Sequence, residues 1–266
     1  MALLVVKIFF SVFVVLSLSW VAEHVNPRIA GILSGMPAGA VLVLFFVGIQ
    51  SGPEFATQSA LYAVPSIVAT ICFAIGYYFA SLSKSRLAPL FSSLIGLTCY
   101  FMVASVLSVI DFNLITAATL SLVTLVIVAY FFHSHDTNKI QSRIRMTLGH
   151  LMFRAGMAAS FVVGIITISD LIGPIWSGLL MGFPMVFLPF LLVIHISYGG
   201  AQIRTIIRSF PLGLIGLICF LITVHKTIPE YGVNIAILIS LCAAILYLSL
   251  LNFALNRMKP VPAKSQ

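Results

Sequence analysis

The chain has 266 residues, of which 61% are hydrophobic and only 8% are charged, and its mean hydropathy is +1.17. A soluble domain carries about 25% charged residues, so this composition excludes a water-soluble globular protein. The formal net charge of +8 would favour nucleic-acid binding in a soluble protein, but cationic cytoplasmic loops explain it in a membrane protein. We therefore expect an all-α integral membrane protein that has the lipid bilayer as a partner and binds no nucleic acid.

Nine apolar runs are each long enough to cross a bilayer, which takes about 20 residues. In chain order they are 2–22, 29–50, 58–82, 87–110, 113–133, 147–169, 173–196, 203–225 and 231–256. The first run carries Lys7 in its interior and ends in a poor cleavage site, so we predict a retained helix rather than a signal peptide. A hydrophilic linker at 134–146 separates a first four-span unit with a connecting fifth helix, 1–133, from a second four-span unit, 147–266.

The 14 Lys and Arg residues are distributed unevenly over these spans. With nine alternating spans, Lys7 and Lys226 fall on one side, and the other 12 fall on the side of the C-terminus. Loops rich in Lys and Arg stay in the cytoplasm. We therefore predict an N-terminus outside the cell, a cytoplasmic C-terminus and a location in the cell inner membrane.

Proline and glycine residues recur at a constant offset of 147 positions between the two units. Gly31, Gly35 and Pro37 recur as Gly178, Gly182 and Pro184; Pro27 recurs as Pro174, Gly52 as Gly199, and the tripeptide Ile-Cys-Phe stands at both 71–73 and 218–220. Span 5 has no counterpart, and five spans separate equivalent positions. Because five is an odd number, the second unit would enter the membrane from the opposite side. The predicted architecture is an inverted repeat of 4 + 1 + 4 spans.

Each unit places two glycines and a proline inside an apolar span, in GILSGMP at 31–37 and in GLLMGFP at 178–184. Proline removes a backbone donor and glycine is a poor helix former, so we expect both spans to be broken there. Secondary transporters bind their substrate near the bilayer midplane, at broken helices on the interface between repeats. The sequence therefore predicts a transporter or permease for a small organic solute. Its candidate substrate-binding residues are Gly31, Gly35, Pro37, Gly178, Gly182, Pro184, Arg154 and His195.

The same glycines have a second interpretation. Gly31 with Gly35, and Gly178 with Gly182, each form a GxxxG motif, which is common where helices cross closely. The two interpretations are compatible, because a close crossing at the repeat interface would bring both breaks together.

The stretch IAGILSGMP at 29–37 resembles the signature of the small GlpM-type inner-membrane proteins, which are four-span chains of about half this length. Ile29, Ala30, Gly31 and Pro37 match the family's Ile-Ala-Gly-Leu stretch followed by Phe-Pro, with Met36 in place of Phe. In the second unit Gly178, Leu179, Phe183 and Pro184 match, whereas Trp176 and Ser177 replace Ile-Ala. The resemblance implies a membrane location and a fused, duplicated version of a four-span unit, and it implies little about the substrate.

The six carboxylates all fall at span ends or in loops: Glu23, Glu54, Asp111, Asp136, Asp170 and Glu230. Pumps and proton relays place carboxylates or His inside the membrane. We therefore expect a facilitator, an exchanger or a lipid-handling protein rather than a pump with a buried carboxylate.

Several basic residues lie on the predicted cytoplasmic side. Arg154 lies about two turns into span 6, and His150 shares its helix face. With Arg204 and Arg208 at the start of span 8, they form either a basic vestibule for an anion or a lipid phosphate, or ordinary anchors that snorkel to the headgroups. His195 stands where the first unit has a glycine, so it is either a substrate contact or a buried, hydrogen-bonded side chain.

Two other functions stay open. The chain is a flippase or export factor for a phosphorylated lipid or glycan intermediate if the basic residues receive a headgroup. It is a non-transporting scaffold for an envelope enzyme if the glycines only pack helices. The sequence holds no motif typical of an enzyme, and we expect no cofactor and no metal. One chain contains both repeat units, so a monomer would be sufficient to form the interface between them.

Overall fold

A computed structural model describes residues 37–133 and 147–257, together with Phe9, Val12, Phe13 and Ser17. For residues 252–257 it describes the backbone alone. Nearly all of the first predicted span, the candidate residues Gly31 and Gly35, and the predicted linker 134–146 lie outside the described residues.

All regular structure in this described part is helical. In chain order the helices are α1 (Ala38–Ala63), α2 (Ser66–Ala80), α3 (Ala88–Leu107), α4 (Leu114–His133), α5 (Leu148–Met181), α6 (Phe187–Tyr198) and α7 (Gly200–Arg257). Five of them, α1, α3, α4, α5 and α7, are long and apolar enough to cross a membrane. α3 and α4 expose large apolar side chains such as Phe101, Met102, Val126 and Ile127, and a surface of that kind needs apolar surroundings. The described part of the chain is thus all-helical, with the apolar helices of a membrane protein.

Four glycines with positive φ bend or end the helices. Gly52 lies inside α1, Gly173 inside α5 and Gly232 inside α7, while Gly199 separates α6 from α7. Their φ values lie between 72° and 89° and their ψ values between 170° and 177°, a region of the backbone map that side-chain-bearing residues rarely adopt. α1, α5 and α7 therefore each consist of two segments. The sequence predicts span ends close to all four glycines. The total of nine spans and the side of the membrane on which each loop lies stay predictions.

Two broken helices run side by side. The first consists of the second segment of α1, residues 53–63, followed by α2, and the second consists of residues 174–181 followed by α6. Contacts join them in order: Ser59 with Gly178, Ser66 with Gly182, Tyr77 with His195, and Ser81 with Gly200. Each partner lies 116 to 119 positions further along the chain, so the two helices run in the same direction.

The sequence predicts one continuous span over 58–82, and the structure divides it. α1 ends at Ala63 and α2 begins at Ser66, with Pro65 at the N-cap position of α2. Pro65 has no N–H and so removes one helical hydrogen bond, and the bonds beside it, from Val64 N to the Leu61 carbonyl and from Ile67 N to the Val64 carbonyl, span three residues rather than four. The Ser121 hydroxyl of α4 donates to the Val64 carbonyl at 2.8 Å and stabilises this interruption.

Candidate functional site

The second broken helix is interrupted around Pro184. α5 ends at Met181 and α6 begins at Phe187, and two hydroxyl groups from neighbouring helices bond the carbonyls at the interruption. Tyr100 Oη donates to the Leu179 carbonyl at 2.5 Å, and Thr70 Oγ1 donates to the Gly182 carbonyl at 2.6 Å. A buried carbonyl without a donor is costly, so these bonds stabilise the break.

Gly178 and Gly182 lie where the two broken helices approach most closely. A Cβ atom at Gly178 would stand 2.2 Å from the Ser59 carbonyl oxygen, and a Cβ atom at Gly182 would stand 2.0 Å from Ser66 Oγ. Both distances are far below contact distance, so only glycine fits at either position. These two candidate residues thus have the close-packing role that the GxxxG interpretation assigns to them.

Pro37 and Pro184 line the same small cavity. Its volume is about 40 Å³, and its other walls are mostly apolar side chains, among them Met185 and Phe187 beside the break and Phe210 and Leu214 of α7. Ligand pockets usually measure about 300–1,000 Å³, so this cavity holds a few water molecules and no organic solute. We call it the central cavity.

Aromatic side chains pack at the α6 side of the central cavity. The Phe187 and Phe210 rings are stacked, with centroids 3.7 Å apart and an interplanar angle of 6°. Further along α6, Tyr77 Oη and His195 Nδ1 lie 3.1 Å apart, and His195 is 6% exposed. His195 is therefore a largely buried, hydrogen-bonded side chain, and it also lies at the edge of a second, larger cavity.

That larger cavity, which we call the basic pocket, has a volume of about 510 Å³. It is lined by Ser81, Leu82, Ser83, Lys84, Ser85, Arg86, Ala88, Pro89, His195, Ile196, Gly199, Gly200, Ala201 and Arg204. The lining contains the cationic side chains of Lys84, Arg86 and Arg204 and no carboxylate. Arg204 Nη1 donates to the Ser81 carbonyl at 3.3 Å, which fixes the start of α7 against the end of α2.

The opposite ends of the two broken helices carry a different polar contact. Asp170, just before Gly173, accepts hydrogen bonds from Gln50 Nε2 at 2.5 Å and from the Ser51 hydroxyl, just before Gly52. Because both broken helices run from this end toward the basic pocket, the Asp170 contact and the basic pocket lie at opposite ends of the helix pair.

The other basic candidates lie away from the basic pocket lining. Arg154 is 2% exposed, and its guanidinium carbon lies 4.5 Å from the centroid of the Phe190 ring, so this side chain neither snorkels to a surface nor lines the pocket. Arg208 Nη2 donates to Tyr78 Oη at 3.0 Å. His150 lies in the first turn of α5, where its backbone N–H is capped by Thr147 at 3.4 Å.

Sequence reasoning missed several of these site residues. Lys84 and Arg86 appear in it only as cytoplasmic charges, and nothing local connects them with Arg204, which lies more than 100 positions further along. Pro65 stands inside an apolar run, as Pro37 and Pro184 do, and this signal would have indicated the break between α1 and α2.

Comparisons with known proteins found no matching family model, no matching curated protein and no matching solved structure. The resemblance to GlpM-type proteins therefore stays a prediction from the sequence.

Proposed function

We propose that this chain is a multi-pass membrane transporter for a small organic solute, built from two inverted four-span units around a connecting helix in the cell inner membrane. One observation carries the proposal: Pro37 and Pro184, which are 147 positions apart, line one cavity, and each stands at the start of a helix. Secondary transporters typically bind their substrate where helices of the two repeats are broken. Pro184 stands at such a break, and the residues before Pro37 lie outside the described part of the chain.

A second observation supports the internal repeat. Gly52 and Gly199 are also 147 positions apart, and both have a positive φ, of 89° and 80°; Gly173 and Gly232 share this conformation without a glycine 147 positions away, so the position of the pair in its unit is what supports the repeat. Gly52 and Gly199 each follow the helical segment that begins after the proline of their own unit. In each unit, therefore, a helical segment begins after the proline at the central cavity and ends at a glycine with positive φ: residues 38–51 in the first unit and Phe187–Tyr198 in the second.

The size of the cavities indicates what transport would require. The central cavity of about 40 Å³ is too small for an organic solute, whereas the basic pocket of about 510 Å³ is large enough. Passage between them would require the Tyr77–His195 pair and the Phe187–Phe210 stack to separate. We expect this separation when the two units rock against each other, because rigid-body rocking of repeats is the usual mechanism of alternating access.

Solvent access to the central cavity tests the proposal. The four native cysteines, Cys72, Cys99, Cys219 and Cys242, are first changed to Ser. A single cysteine then replaces either Met181 or Ala40, both of which line the central cavity. An impermeant thiol reagent is applied to either face of the membrane. Cysteines at the exposed positions Ser83 and Glu230 serve as references for the cytoplasmic and the outer face.

A transporter predicts slow reaction at both cavity positions, from both faces in turn, because the path opens alternately. Ser83→Cys should react only from the cytoplasmic face and Glu230→Cys only from the outside, in agreement with the predicted orientation. If neither cavity position reacts from either face while both references do, the crossing is dry and the non-transporting scaffold becomes the better interpretation.

A flippase or export factor for a phosphorylated lipid is the second candidate, and the basic pocket favours it. A headgroup that enters this pocket would meet Lys84, Arg86 and Arg204. The double change Lys84→Glu and Arg86→Glu should then abolish the movement of fluorescent phosphatidic acid across proteoliposome membranes. Uptake of a neutral solute should survive the same change, so the two functions are distinguishable.

A further inference from the structure

We propose that the basic pocket is a binding site for a phosphate monoester group, carried by a soluble metabolite or by a lipid. This inference names the substrate class for the proposed function. The role of the pocket in transport rests on the proposed function, whereas the binding of a phosphate group does not. Binding itself is measured without transport, so each of the two proposals can fail alone.

The charges that line the pocket carry the inference. Lys84 and Arg86 lie in the turn between α2 and α3, and Arg204 lies in the second turn of α7, more than 100 positions away. No Asp or Glu is among the lining residues. Three cationic side chains around one pocket, with no carboxylate among its lining residues, form an arrangement that suits a multiply charged anion. A phosphate monoester is close to a dianion at neutral pH, because its second pKa is about 6.

One helix end at the pocket, the start of α7, has the polarity that suits an anion. α7 begins at Gly200, so its N-terminus, where the first N–H groups lack helical partners, faces the pocket at Gly200 and Ala201. Gly200 permits this close approach, because a Cβ atom there would stand 2.4 Å from the Ser81 carbonyl oxygen.

The negative end of α2 is neutralised by the chain itself. Ser81 N bonds the Tyr77 carbonyl, Ser81 Oγ the Tyr78 carbonyl, Leu82 N the Phe79 carbonyl, Ser83 N the Ala80 carbonyl and Arg204 Nη1 the Ser81 carbonyl. The carbonyls that end α2 are therefore occupied, while the cationic groups remain available to a ligand. Arg204 uses one of its five N–H donors for Ser81, and the others are geometrically suited to phosphate oxygens.

The dimensions of the pocket allow more than a phosphate group. Its volume of about 510 Å³ lies within the range of pockets that hold whole small molecules. His195 and Ile196 of α6 line one side of the pocket, and Phe187 at the start of the same helix lines the central cavity, so α6 connects the two cavities. A ligand held by its phosphate at the three cations would thus place the rest of its structure on the proposed path.

The test measures thermal unfolding of the full-length protein in phosphatidylcholine nanodiscs. One arm adds inorganic phosphate, with sodium chloride at equal ionic strength as its reference. A second arm replaces part of the phosphatidylcholine with phosphatidic acid, a lipid phosphate monoester. Phosphatidylcholine, a phosphate diester with a capping choline, is the internal control for headgroups in general.

The proposal predicts that phosphatidic acid, inorganic phosphate or both raise the unfolding temperature, because a ligand of the folded state stabilises it. The double variant Lys84→Gln, Arg86→Gln should weaken binding at least about tenfold, since a hydrogen bond to a charged group contributes more than one tenfold step. Lys226→Gln, which removes an exposed cation predicted to lie on the opposite face, should bind like the unaltered chain. Because the side chains of Lys84 and Arg86 are both exposed, the double variant should fold normally.

The two arms distinguish the source of the phosphate. A shift with phosphatidic acid alone assigns the site to a lipid headgroup, and a shift with inorganic phosphate assigns it to a soluble phosphate compound. The proposal is overturned if neither arm changes the unfolding temperature, or if Lys226→Gln reduces the shift as much as the double variant does.

Discussion

Gly178 and Gly182 show how single residues determine the distance between the two broken helices. At both positions a Cβ atom would overlap atoms of the first broken helix, whereas Gly156 and Gly164 on the same α5 have no atom within 4 Å of a Cβ position. Gly156, Gly164 and Gly178 therefore form a matched set within α5, in which the helical conformation is shared and only the free space differs, while Gly182 follows the last residue of α5.

We predict that Gly178→Ala and Gly182→Ala destabilise the protein by about 1–3 kcal/mol, the usual cost of overpacking. Gly178→Ala should be the worse of the two, because it meets the backbone oxygen of Ser59, whereas Gly182→Ala meets the side chain of Ser66. Thermal unfolding of the detergent-solubilised chain measures the effect.

Two controls sharpen this prediction. Gly156→Ala should be neutral or stabilising, because alanine is the better helix former. Adding Ser66→Gly should restore much of the stability of Gly182→Ala, since it removes both overlapping side-chain atoms. Equal destabilisation by Gly156→Ala would show that helix packing at the break is not the cause.

At the scale of helices, the break at Pro184 depends on hydroxyl groups from α2 and α3. Thr70 is 2% exposed and Tyr100 is fully buried, so water does not replace either hydroxyl when it is removed. The Leu179 carbonyl also accepts a bond from the Gly182 N–H at 3.2 Å, which gives it a second donor. The two interactions should therefore differ in importance.

We predict that Thr70→Val lowers the free energy of unfolding by about 1–3 kcal/mol, because it leaves the Gly182 carbonyl buried without its hydroxyl donor. Tyr100→Phe should cost less. Thr98→Val is the control, since the Thr98 hydroxyl is exposed and bonds only the Leu94 carbonyl of its own helix. Denaturant or thermal unfolding that ranks Thr98→Val with Thr70→Val would contradict this account of the break.

The sequence predicts helices and their ends well where proline and glycine act locally. The predicted ends near Gly52, Gly173, Gly199 and Gly232 coincide with the only four positive φ angles in the described residues, because this conformation is a property of glycine itself. The close contact at Gly178 follows from the GxxxG spacing in the same way. Pro65 is a local signal too, but the apolar run around it is long enough to be taken for one span.

The basic pocket was much harder to predict from the sequence. It forms because the turn after α2 and the start of α7 come together at the same end of the two broken helices, and no local pattern encodes that meeting. Arg154 illustrates the reverse error. Its position in the chain suggests an anchor that snorkels to the headgroups, whereas packing against Phe190 buries it inside the protein; its contact with a substrate anion stays a prediction.

In the molecule as a whole, the two predicted units meet differently at the two ends of the broken helices. At one end Asp170 of the second unit accepts hydrogen bonds from Gln50 and Ser51 of the first. At the other end the units surround the basic pocket, which is open enough to hold about 510 Å³ of solvent. If the chain is a transporter, this conformation has its Asp170 end closed and its basic end open.

We predict that Asp170→Ala shifts the chain toward the conformation that opens at the Asp170 end. Each lost hydrogen bond to a carboxylate contributes about 1.5–3 kcal/mol when buried, but Asp170 is exposed, and solvent reduces the effect to ~1 kcal/mol, or about fivefold in the population. In the Asp170→Ala variant, the rate at which Met181→Cys is labelled from the outer face should be about fivefold higher than with Asp170 present. Its labelling rate from the cytoplasmic face should be lower. Glu230→Ala, which removes another exposed carboxylate on the same predicted side, should leave both rates unchanged. Equal rates with and without the Asp170 carboxylate would mean that its hydrogen bonds to Gln50 and Ser51 do not hold the two units together, and the closed end would then depend on helix packing alone.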